Sequence, residues 1–171
     1  MTYFIPVFFL PTSVESLGDD PEEVAYQLVG AAADNREQSR LREATSTNWW
    51  HVVAVQGLAT AWGVAGFEFL ASPVQLLRKD ESAAVVQGVT SLLNTLASDT
   101  LPAPTPALDQ DPDYIQHAEL RAAIPSAQPS FVVDEDSGHV HSFIQFLVSM
   151  RDAAQEAVAR NQRLLYFQPQ P

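Results

Sequence analysis

Cysteine is missing from all 171 residues. That excludes a disulfide framework and any thiolate zinc site, and it fits a cytosolic setting. Basic residues are scarce: 9 Lys and Arg stand against 21 Asp and Glu, a formal charge of −12. Nucleic-acid affinity comes mainly from Lys and Arg displacing condensed counterions, so this field repels a phosphate backbone. It also disfavours anionic membrane surfaces, while favouring solubility, cations and basic partners. Long hydrophobic runs are absent too. The apolar stretch 1–11 has no basic segment before it, and His51 and Gln56 interrupt the run from Trp49 to Trp62. Neither approaches the ~20 apolar residues of a membrane span or the layout of a signal peptide. The motifs of familiar enzyme classes are missing as well: there is no G-x-S-x-G, P-loop, G-x-G-x-x-G, H-E-x-x-H or EF-hand loop. No cofactor, no nucleic acid and no membrane are therefore expected.

What is present describes a globular chain. A hydrophobic fraction of 46% and this length suit one domain, 1–171, with one sizeable core. Residues 3–10 are β-branched and aromatic with Pro6 inside, which predicts a strand at an edge or with a bulge. Asp20 as N-cap, Pro21 at the first helical position and Glu23 three residues after the cap predict a helix opening on a capping box. The stretch 34–47 is polar and reads as helical or irregular. From Trp49 to about Trp62 the chain is apolar on most of a helical circumference, which predicts a buried central helix. Gly63 and Gly66 end it, and Gly66-Phe67-Glu68-Phe69-Leu70 alternates like a short strand. Asp80 reads as the cap of the next helix, with Val85, Val89, Leu92 and Leu96 on one face. Pro102, Pro104, Pro106 and Pro112 make 98–112 an exposed loop. A short helix is predicted from Asp111-Pro112 to just before Pro125, then a strand fragment within 130–133. Phe143, Leu147, Met150, Ala154 and Ala157 form a clean stripe on a helix over 139–161, and 163–168 closes as a strand. The expected fold class is α+β: a small mixed or antiparallel sheet packed against several helices, including the long late one.

The order of these elements resembles the YfbM-like family of small bacterial proteins. The likeness rests on the Asp-Pro-Glu-Glu helix start at 20–23, the Trp-led apolar helix at 49–58 and the Pro-Val-x-x-Leu segment at 73–77. It continues through the acidic start Asp80-Glu81, the Asp111-Pro112 helix ending at Ile124-Pro125, and the long helix leading into a strand. Members of that family often carry a His four residues after the helix Trp, where this chain has Val53 or Ala54. The resemblance implies an α+β fold and lends no established activity.

Chemistry has a few candidate carriers. The segment from Asp134 to His141 gathers carboxylates and imidazoles, so Asp134, Asp136, His139 and His141 are candidate ligands for a divalent metal. The plainer reading is an acidic loop favoured by the positive start of the following helix. His51 and His117 are candidate catalytic bases, though a core histidine satisfied by a backbone carbonyl is the commoner outcome. Trp49, Trp50 and Trp62 suit a core better than a ligand pocket. Glu68 is expected to face solvent. Three acidic clusters each sit at a predicted helix start: Asp19, Asp20, Glu22 and Glu23; Asp109, Asp111 and Asp113; and Asp134, Glu135 and Asp136. Capping explains one or two acids in each, at roughly 0.3–1 kcal/mol apiece, and leaves the others for solubility or for steering a basic partner. The functional expectation is a non-catalytic cytosolic protein that binds another protein, of an immunity or inhibitor type. The alternative is a metal-dependent or His/carboxylate enzyme using 134–141. Oligomeric state is not legible.

Overall fold

The structure, a computed structural model, describes residues 4–47, 50–103, 105, 116–126 and 139–169. Among them are six α-helices and one four-stranded sheet, an α+β fold. In chain order these are β1 (Phe4–Thr12), α1 (Pro21–Ala33), α2 (Arg36–Ser39), β2 (Arg42–Thr47), α3 (Trp50–Trp62), β3 (Val74–Leu77), α4 (Lys79–Leu96), α5 (His117–Ala123), α6 (His139–Ala159) and β4 (Arg163–Phe167).

The strands lie in the order β2-β1-β4-β3 and every neighbouring pair is antiparallel. The period of two sorts their side chains. Val7 and Phe9 of β1, Leu164 and Tyr166 of β4 and Leu77 of β3 join one buried cluster with α3, α4, α5 and α6. Leu10, Leu165 and Phe167 join the other with Ala25, Val29 and Ala32 of α1, against which Phe8, Val74 and Leu76 also pack. Helices therefore cover both faces. On the larger side Phe9, Phe146, Tyr166 and Phe69 form a chain of rings with centroids 5.1–5.9 Å apart, close enough for tilted and edge-to-face contacts.

Local signals set most of the boundaries. Asp20 Oδ1 accepts from the Glu23 amide at 3.2 Å and Pro21 takes the first turn of α1. Glu23 does not reach back to complete a capping box; its Oε1 accepts from Gln27 Nε2 one turn on. At α4 the cap position belongs to Arg78 rather than Asp80, and Glu81 Oε1 accepts the Arg78 amide at 3.1 Å. The Arg78 guanidinium hydrogen-bonds Asp80 and holds its carboxyl below the usual carboxylate range. The stripe on α6 is fully buried: Phe143, Leu147, Met150, Ala154 and Ala157 have no accessible surface. Asn161 ends that helix in the left-handed region, φ 54°, with the Gln162 amide bonded back to Ala157 O at 2.9 Å.

Four expectations change. The polar stretch 34–47 holds α2 and the whole of β2, an edge strand of the sheet. Arg42 opens β2 at 3% exposure, ion-paired to Asp152 of α6 and donating from Nη1 to Arg40 O. Residues 66–71 form no strand: Glu68–Ala71 is a 3-10 turn and the strand follows at Val74–Leu77. Phe67 and Phe69 enter the core while Glu68 stays out, but Leu70 is buried beside Phe69, so burial follows the repeat of three of a 3-10 turn and not the period of two of a strand. Helix α3 buries Val52, Ala54, Val55, Leu58 and Ala59 in the larger cluster, but Val53 and Thr60 are exposed along its other side, so it is not buried on most of its circumference. Within the proline-rich passage, Leu101 packs against the core and Pro102 O accepts from Trp62 Nε1 at 3.1 Å, while Asp99, Thr100 and Ala103 are exposed. The expected 130–133 strand and the Asp111-Pro112 helix start lie outside the described residues.

Candidate functional site

The start of α1 carries the first acidic cluster. Asp19, Asp20, Glu22 and Glu23 are all exposed. None forms an ion pair with a described basic residue, whereas Arg36, Arg42, Arg78, Arg121, Arg160 and Arg163 each meet a carboxylate elsewhere. Asp20 is committed to capping; the other three extend the charge beyond what the helix end requires. Of the remaining partner candidates, Asp109, Asp111, Asp113, Asp134, Glu135 and Asp136 lie outside the described residues, so convergence of the three clusters is not observed.

The two histidines offered as bases are tied into structure. His51 has no accessible surface and lies between Phe143 and Phe146 of α6, with ring centroids 5.7 and 6.1 Å away. No substrate reaches a ring in that position without unpacking α3 from α6. His117, at the start of α5, sits 3.1 Å from Leu96 O through Nε2. A carbonyl can only accept, so Nε2 carries the hydrogen, and the ring closes the C-terminal turn of α4. Among the metal candidates, Asp134 and Asp136 are outside the described residues, and so are the side chains of His139 and His141 at the start of α6. Among the described residues no group of three His, Asp or Glu is placed to hold a metal ion.

A concave surface not singled out from the sequence lies where α3 ends. Gly63, at φ 65°, turns the chain out of the helix and lets the Val64 amide bond back to Ala59 O at 2.8 Å. The following segment then presses onto α4. A Cβ on Gly66 would lie 2.5 Å from Ala84 O, and one on Gly88 would lie 2.5 Å from Ala65 O, so neither position accepts a side chain without movement. On either side of this ridge is a hollow. One, of about 580 Å³, is walled by Gln56, Thr60, Val64 and Phe67; the other, of about 390 Å³, by Phe69, Gln75, Leu77 and Glu81. Ala65 and Glu68 border both. Glu68 Oε2 accepts the Gly66 amide at 3.1 Å, which fixes the carboxylate at the ridge. The volumes fall within the ordinary range of ligand pockets. The legible signal was the pair Gly63 and Gly66 followed by an apolar stretch with one acid, Glu68.

Comparison with family models, with curated proteins and with solved structures returns no match. Among the described residues no helix is long and apolar enough to cross a membrane.

Proposed function

We propose that this protein is a non-catalytic, cytosolic binding module that meets a basic partner protein, in the manner of an immunity or inhibitor protein. The observation that carries this reading is the set of exposed carboxylates at the start of α1, which no described base of the chain neutralises. An uncompensated patch of this kind speeds encounter with a positive surface and is screened by salt over about 8 Å at physiological ionic strength. The formal charge of −12 adds to the field. The likeness in layout to the YfbM-like family belongs to the same proposal and supplies no competing chemistry.

The test is capture from a cytosolic lysate at low and high salt, with wild type beside a D19K/E22K double variant. Asp20 is left in place so that the cap of α1 survives. A partner retained by wild type at low salt, and lost both at high salt and from the variant, supports the reading. Capture that ignores both salt and charge reversal refutes it.

A further inference from the structure

We propose that the two-lobed groove at the end of α3 receives an arginine or lysine side chain of the partner protein, with Glu68 meeting its charge. This rests on the basic-partner reading above but places the anchor on the opposite side of the sheet from α1, so its failure would leave the α1 reading standing. The occupant follows from what lines the groove. In the larger lobe Val64 and Phe67 give an apolar wall for the stem of a long side chain, and Gln56 and Thr60 add polar groups around it. Long basic side chains lay their methylenes on such surfaces while the charged head seeks water or an acceptor. Two carboxylates border the groove, and they differ. Glu81 is taken up by the Arg78 amide and guanidinium. Glu68 makes no ion pair with any described base, and its bond from the Gly66 amide uses only Oε2, which leaves Oε1 to accept from an incoming cation. No basic residue lines either lobe, so an anionic ligand has nothing to pair with. A lone carboxylate is also too few donors for a metal site.

The site is preformed. The ridge bearing Ala65 and Glu68 is held by backbone contacts at Gly66 and Gly88 that leave no slack, so binding spends little on ordering it. Because Glu68 is exposed, its pairing is screened, and losing the charge should weaken binding by only about threefold, as for exposed ion pairs.

The experiment is a titration of the ¹⁵N-labelled protein with Nα-acetyl-arginine amide and, in parallel, its neutral isostere Nα-acetyl-citrulline amide. The arginine probe should shift the amides of Val64, Ala65, Gly66 and Glu68 and saturate at about threefold lower concentration than the citrulline probe. Glu68→Gln, whose side-chain carbonyl can still accept from the Gly66 amide, should erase that difference without changing the rest of the spectrum. Thr60→Arg, from an exposed position on the groove wall, should fill the site from within the chain and abolish the shifts. Equal titration by both probes, a difference that survives Glu68→Gln, or no shifts at the groove overturns the proposal. Shifts confined to residues 19–24 overturn it too while leaving the α1 reading intact.

Discussion

Substituting alanine for glycine at two helical positions should change stability in opposite directions. In a helix interior Ala is favoured over Gly by roughly 0.5–1 kcal/mol, because Gly loses more backbone freedom on folding. At Gly30, on the exposed side of α1, a Cβ would meet nothing within 4 Å. Gly30→Ala should therefore gain about that amount, roughly 2–3 °C in Tm for a chain of this length. At Gly88 of α4 the same Cβ would lie 2.5 Å from Ala65 O and 3.0 Å from Cε2 of Phe67. The carbonyl cannot retreat, because the next residue, Gly66, is itself seated against Ala84 O. Overpacking of this kind costs about 1–3 kcal/mol. Set against the propensity gain, the net loss should be about 1–2 kcal/mol, a fall in Tm of roughly 3–6 °C. Thermal and denaturant melts of both variants in one buffer decide the matter. If Gly88→Ala stabilises as much as Gly30→Ala, the close approach of the 63–69 segment to α4 is wrong, and the preformed groove goes with it.

Leu147, with no accessible surface in α6, should lose about 2–5 kcal/mol on truncation to Ala; a loss under half a kcal/mol in denaturant melts would misplace the helix face. Asp20→Ala removes the acceptor for the Glu23 amide and should cost about 1 kcal/mol, with early hydrogen exchange at 22–24 as the local readout. Burial pushes the Tyr166 phenol above its ordinary value of 10.0. Its neutral form is the one the fold favours, so that contribution is intact below pH 10.0 and is lost as pH rises beyond it. Absorbance at 295 nm should show Tyr166 ionising only together with alkaline unfolding, and independent ionisation would contradict its packing.

The parts of the fold legible in the sequence are those where one local pattern decides. Asp20-Pro21 announces α1, and the stripe from Phe143 to Ala157 announces α6, because each carries its own cap or its own period. Strand β2 is hidden for a physical reason. It lies at an edge and opens with Arg42, whose charge is met by Asp152 from a distant helix. Nothing in Arg-Glu-Ala-Thr-Ser-Thr shows that a buried ion pair and a partner strand will hold it. The 66–71 turn misleads in the other way: Phe67-Glu68-Phe69 alternates in sequence, but Phe69 and Leu70 are both buried while Glu68 and Ala71 are exposed, the repeat of three of a 3-10 turn. The acids of α1 were legible as a surface cluster from their spacing at a predicted helix start. Glu68 was legible only as an exposed acid, because a groove is made by α3, β3 and α4 converging, and spacing along one segment does not report convergence.

The pairing of β1 with β4 has a consequence for synthesis. These two strands sit side by side at the middle of the sheet, Phe8 opposite Phe167 and Thr12 opposite Arg163, yet they lie at opposite ends of the described chain. Among the described residues strand β3 is bonded to the sheet only through β4. As the polypeptide leaves the ribosome, the β1–β2 pair, joined through α1 and α2, and the α3–α4 region can form early. The inner edge of β1 and the whole of β3 must then wait, unpaired, until residues 163–167 emerge. The last strand therefore acts as a keystone: loop closure over the full span comes late and slowly. Before it arrives, a nascent chain shows an open strand edge of the kind that chaperones shield and that aggregates exploit.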